Sequence, residues 1–169
     1  MLTLASLPLS NIFGFLSVIC YALTLLPTSV KIVFPQFKKA KFISQLLKHR
    51  RQLGVLAFLL ACYHAFLLIL KRNIDLLDLQ TYGLILDGIA TLFIFMLLAL
   101  TSNDWCTKKM KKNWRLLHQL TYTAMFLLFW HISEKMSGQW NLLTIIALTI
   151  NSLVIILFMR RRWIENASI

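Results

Sequence analysis

Acidic residues are scarce in this chain: six Asp and Glu stand against eighteen Lys and Arg, for a net charge of +12 over 169 residues. The three cysteines, Cys20, Cys62 and Cys106, are odd in number and lack the close pairs that zinc and redox motifs need, so neither a disulfide nor a zinc site is expected. Cys20 and Cys62 lie in apolar blocks, where a thiol behaves as a small hydrophobe. No Gly-rich dinucleotide fingerprint and no phosphate loop is present, which excludes a recognisable NADPH or ATP site. No charged stretch precedes the first apolar block and no small-residue cleavage site follows it, so it reads as a retained helix rather than a signal peptide. There is no internal repeat of the kind many transporters carry, and no nucleophile stands beside a base as a hydrolase would require.

What the chain has in excess is apolar residue. Hydrophobic residues make up 59% of it and its mean hydropathy is +0.71, beyond what the core of a small soluble domain can use. The excess falls in blocks near the ~20 residues that span a bilayer. Without period-2 alternation, such blocks are helices rather than barrel strands. Five spans are predicted, at residues 11–35 (bent or weakened at Pro27), 52–70, 82–101, 114–131 and 140–159. The fold class is therefore an all-α membrane protein, a bundle of about five transmembrane helices forming one domain over 1–169.

The basic charge explains orientation and not nucleic-acid binding. Lys31, Lys38, Lys39, Lys41, Lys48, Arg50 and Arg51 follow the first span, Lys108, Lys109, Lys111, Lys112 and Arg115 lie between the third and fourth, and Arg160, Arg161 and Arg162 follow the fifth. The other side carries only Lys71, Arg72 and Lys135. The excess of Lys and Arg on cytoplasmic loops puts the N-terminus outside and the C-terminus in the cytoplasm. Trp105, Trp114, Trp140 and Trp163 fall near predicted interfaces, and the basic stretch 36–51 is suited to anionic lipid headgroups.

Ionisable groups inside a membrane are costly and mark function, and neutral imidazole is a standard axial ligand of heme iron. His64 lies in the second predicted span; His118 and His131 lie in the fourth. At ~1.5 Å per residue, His64 is roughly 20 Å above the cytoplasmic edge, His131 roughly 24 Å and His118 roughly 4 Å. His64 and His131 are thus matched in depth, as two ligands of one heme must be. His118 needs another partner, and His49 is at its level, so a second heme could lie below the first. Thirteen residues separate His118 from His131, roughly 220° of helix rotation, so the two do not share a face. Arg50, Arg51 and Arg115 lie where the propionates of a cytoplasmic-side heme would hang. Asp87, in the third span, could pair with Lys71 or Arg72 or relay a proton. Gly54, Gly83 and Gly88 would allow close helix packing. Phe66, Phe95, Tyr122, Phe126 and Trp130 could line a macrocycle, though ordinary packing explains most of them.

The segments KHRRQLGVLAFLLACYHAF, LALTSNDW and KKNWRLLHQLTYTAMFLLFWH together resemble the ferric reductase-like transmembrane family, in particular its heme-binding membrane subunits of bacterial methionine sulfoxide reductase systems. The resemblance covers about residues 11–137. It implies heme b, one or two, held by His64, His118 and His131, with a flavin as a further candidate cofactor. It also implies an electron-transfer subunit of the bacterial inner membrane with no catalytic domain of its own. Its donor would be a quinol or a cytoplasmic flavin reductase, and its acceptor a periplasmic redox partner protein. The chain departs from the family's pattern at His49, at Asp87, and in lacking an extra N-terminal span. The competing expectation is a heme-free transporter or scaffold subunit.

Overall fold

A computed structural model describes residues 9–72, 79–135 and 141–167; at 71, 72, 79–85 and 135 it describes the backbone only. Every regular element among them is helical: α1 (Leu9–Val33), a 3-10 turn (Pro35–Lys39), α2 (Lys41–Arg72), α3 (Leu79–Leu100), α4 (Asp104–Met110), α5 (Lys112–His118), α6 (Leu120–Lys135) and α7 (Leu142–Ala167). The protein is an integral membrane protein. Three of the helices, α1, α2 and α7, are long and apolar enough to cross a bilayer, or four spans if α3 and α4, bent by 91°, count as one. α6, at sixteen residues, is shorter than the ~20 that hydrocarbon requires.

Local chemistry explains where the elements stop. Pro27 lies buried inside α1 without ending it. Phe34, ahead of Pro35, leaves the helical region with φ −127° and ψ 84°, because a following proline ring disfavours it. α2 then starts at Lys41, eleven residues before the expected span edge, so the basic stretch 36–51 is mostly helix continuous with the span. The turn after α3 is made by Asn103, whose side chain accepts from the Cys106 N–H at 2.7 Å and caps α4, while Asp104 adds negative charge at the first turn. Lys111, at φ 49°, is the left-handed residue that turns α4 into α5.

The expected fourth span is divided at Gln119 into α5 and α6. The Gln119 N–H bonds to Leu116 O at 3.1 Å and the Tyr122 N–H to Gln119 O at 2.9 Å, both three residues back. Such tight turns add roughly 20° of rotation per residue over an α-helix. His131 then meets α3 at Asp87, while His118 meets Thr101, just past the end of α3.

Backbone packing pairs α1 with α2 and α7, α3 with α2 and α6, and α6 with α7, so the five long helices close into a ring in the order α1, α2, α3, α6, α7. Inside the ring, Val18, Tyr21, Leu25, Ala57, Phe95, Met125 and Val154 form one buried cluster. Outside it, Leu56, Leu59, Tyr63, Phe66 and Leu70 form an exposed apolar stripe along α2 at spacings of three and four residues, the face a helix turns to lipid. Polar groups point inward instead. Ser10, Ser17 and Thr24 of α1 are buried, and Ser17 Oγ donates to Ala57 O at 2.8 Å. Asn151 is 1% exposed and its amide donates to Met125 O at 3.1 Å, joining α7 to α6. Interhelical bonds of this kind contribute about 1 kcal/mol in membranes. Asn151→Ala should therefore lower the unfolding free energy of the detergent-solubilised protein by about 1 kcal/mol, read from thermal or denaturant melts.

Candidate cofactor site

Two polar levels flank the apolar cluster. At the first, His64 of α2 lies against α1. Its Nδ1 is 2.7 Å from Ser10 O, and a carbonyl can only accept, so Nδ1 carries the proton and the lone pair is on Nε2. A Cβ built on Gly14 would come within 2.9 Å of that Nδ1, so only glycine leaves room for the ring where it sits. His131 of α6 repeats the arrangement against α3. Its Nδ1 is 3.0 Å from Asp87 Oδ2, and a Cβ on Gly88 would come within 2.7 Å of its Cε1. Ligating histidines characteristically donate the other ring N–H to a carbonyl or carboxylate, which fixes tautomer and orientation.

The two histidines lie at the same depth. The Tyr21 ring of α1 meets the Phe95 ring of α3 with centroids 4.8 Å apart. Gly14 precedes Tyr21 by seven residues and Gly88 precedes Phe95 by seven, about two helical turns in each case. The two glycine notches, and the rings seated in them, are thus level.

The second level, toward the basic loops, is a cavity of about 520 Å³. His118, Arg50, Arg51, Arg115, Lys48, Tyr21 and Phe95 are among its lining residues. His118 stacks on Trp114 with ring centroids 4.0 Å apart. Trp114 in turn donates Nε1–H to Thr101 O at 2.9 Å. His118 Nε2 lies 3.2 Å from Thr101 Oγ1. That hydroxyl gives its own proton to Leu97 O at 2.7 Å, so it accepts from Nε2–H and leaves the His118 lone pair on Nδ1, the reverse of His64 and His131. Arg51 also pairs with Asp104 at 2.7 Å, and this guanidinium holds the exposed Asp104 carboxyl below the usual carboxylate range. Of the predicted site residues, His49 is not brought in: it is exposed, bonds Gln52 of its own helix, and is not among the residues lining the cavity. Phe95 and Tyr122 line the cavity, whereas Phe66, Phe126 and Trp130 are 52%, 46% and 63% exposed and face outward. Gly54 lines the cavity and is not needed for close packing, since a Cβ there would meet Thr24 only at 4.0 Å. The side chains of Lys71 and Arg72, and the position of Gly83, fall outside the described side chains, as Trp140 falls outside the described residues.

The residues suit a planar, acid-bearing cofactor. Imidazoles seated in glycine notches could ligate a metal centre, and guanidiniums lining a cavity beside an apolar cluster could clamp carboxylates. Among the described residues no group of three or more His, Cys, Asp or Glu could hold a bare metal ion. Sequence reasoning missed Gly14 altogether. It also missed the Asp87 partnership, for which the only signal was a carboxylate in a span at a depth near that of His131.

A ring of apolar helices that holds partly buried imidazoles defines an integral membrane protein with candidate ligands inside it. The chain belongs to the family described as ferric reductase like transmembrane component, whose pattern matches residues 13–129. It is 36% identical over 84 residues to the protein-methionine-sulfoxide reductase heme-binding subunit MsrQ of Brucella anthropi, covering 47% of this chain and 38% of that protein. It is also 36% identical over 85 residues to the subunit of the same name in Brucella ovis, covering 47% and 39%. The similarity thus spans less than two-fifths of these relatives' length.

Proposed function

We propose that this chain is a b-type cytochrome membrane subunit that carries electrons across the bilayer between a donor at its basic end and an acceptor at the other. The observation that carries this reading is the pair of seated histidines, His64 and His131, each held in a glycine notch with its Nδ1 on an acceptor of the neighbouring helix. Heme bound there would supply one-electron redox chemistry. The protein's part is to ligate, orient and exclude water. His64 and His131 would hold such a group from opposite sides of the ring of helices, and a group held by two imidazoles would supply electron transfer rather than bond-making chemistry.

At the second level His118 is the one imidazole among the described lining residues. To ligate through Nε2 it must release Thr101; through Nδ1 it need not. Arg50, Arg51 and Arg115 would take the propionates, with Arg51 shared with Asp104. The levels are thirteen residues apart, roughly 20 Å along the helix, and Tyr21, Phe95 and Met125 fill the space between them.

The donor in this reading is a quinol or a flavin reductase, and the acceptor a periplasmic reductase like the partner named for the relatives. The basic loops meet at one end, where Arg51 bridges to Asp104 and Arg161 donates to Tyr122 Oη at 3.2 Å. This supports a cytoplasmic assignment for that end. The purified protein should be red, with a Soret band that shifts on dithionite reduction and heme and iron in equal amounts. A colourless protein after heme supplementation would overturn the reading and leave a scaffold or transporter role.

A further inference from the structure

Asp87 is where this chain departs from what membrane burial tolerates. Its side chain is 11% exposed, in a helix otherwise apolar around it. Oδ2 takes the His131 Nδ1 contact at 3.0 Å, while Oδ1 is buried with no hydrogen-bond partner among the described residues. Leaving a buried carboxylate oxygen unsatisfied costs on the order of 1–3 kcal/mol or more. Its own helix neighbour Gly88 is the notch that His131 occupies, so one turn of α3 supplies both the seat and the hydrogen-bond acceptor. The opposite ring, His64, has a different acceptor, the neutral backbone carbonyl of Ser10. The Nδ1 acceptors of the two rings therefore differ in charge.

Building on the cytochrome reading above, we propose that Asp87 is the positioning residue of His131: it fixes the ring's tautomer and direction and, by drawing on the Nδ1 proton, makes Nε2 a more basic donor. A more basic axial donor stabilises the oxidised metal, so Asp87 sets the reduction potential at this level lower than two carbonyl-bonded imidazoles would. Carboxylates that accept the other ring N–H of a ligating histidine act this way, and their loss typically costs ~10–100-fold in metal affinity or activity. The Thr91 hydroxyl, one turn on, donates to the Asp87 backbone carbonyl at 2.8 Å and leaves the carboxylate to His131.

The test is a redox titration of purified, heme-loaded wild type, Asp87→Asn and Asp87→Glu, with low-temperature EPR of the oxidised forms. Asp87→Asn keeps size and shape but accepts more weakly. The component that His131→Ala removes should shift about tenfold toward the reduced form, equal to about 59 mV more positive for one electron, and its low-spin EPR g-values should move. Asp87→Glu should restore part of both. If wild type holds heme and Asp87→Asn leaves potential and g-values unchanged, Asp87 only fills space and the inference is wrong. If wild type holds no heme, it is the cytochrome reading that fails. Should Asp87→Asn load no heme while its helical content matches wild type, the seating role stands and partial recovery by Asp87→Glu decides it; no recovery counts against it.

Discussion

His64→Ala and His131→Ala should each remove the same heme component from the purified protein, and His118→Ala should leave that component in place. The expectation rests on depth. The two rings sit in glycine notches that are each seven residues before the touching Tyr21 and Phe95 rings, whereas His118 is at the far level, beside Thr101. Removing an axial donor exceeds the ~10–100-fold loss seen when only an outer-shell partner is lost. Occupancy at that level should therefore fall below a tenth in either variant, measured as heme per polypeptide and as reduced-minus-oxidised absorbance. An intact spectrum in His131→Ala alongside its loss in His118→Ala would reverse the assignment of levels.

The second large effect is expected from a single methyl group. Gly88→Ala places a Cβ 2.7 Å from His131 Cε1, and Gly14→Ala places one 2.9 Å from His64 Nδ1. Neither distance is tolerable, so each ring must leave its seat and give up its bond to Asp87 or Ser10. The fold itself should survive, because a side-chain ring can rotate away and alanine is the better helix former by about 1 kcal/mol. The signature is thus a split. Heme at that level falls at least about tenfold, while the melting of the heme-free protein changes by no more than about 1 kcal/mol. Gly54→Ala is the control, since its methyl would meet Thr24 only at 4.0 Å and should leave that level loaded. Equal heme loading in Gly14→Ala, Gly88→Ala and wild type would show that the notches do not seat ligands.

The two effects differ in how far they could be read before the structure. The histidines were legible because imidazole in a span is rare and costly, and because rise per residue converts sequence position into depth. The pairing of His64 with His131 came from that arithmetic, and the Tyr21–Phe95 contact, seven residues from each notch, supports it. The arginines were legible as a group because charge cannot enter hydrocarbon and must gather at the helix ends. The glycine notches were not, since a glycine in a helix has several ordinary explanations and only the neighbouring ring shows which applies. From its position Asp87 could pair with Lys71 or Arg72, whose side chains lie outside those described, or relay a proton. The partner the structure gives it is forty-four positions away, a contact between helices that no local pattern encodes.

Hydropathy alone determined that this chain is helical and lies in a membrane, because apolar runs of that length have no other stable environment and their backbones must satisfy themselves. It also determined the alternation of basic loops. Tertiary structure decided the rest: the ring order that puts α6 beside α3, the break at Gln119 that divides the expected fourth span, and the position of His49 outside the cavity lining. Each depends on which face of a helix meets which neighbour. Helices that are apolar on nearly every side carry little record of that choice, and it is made by a few small and polar residues when the helices pack.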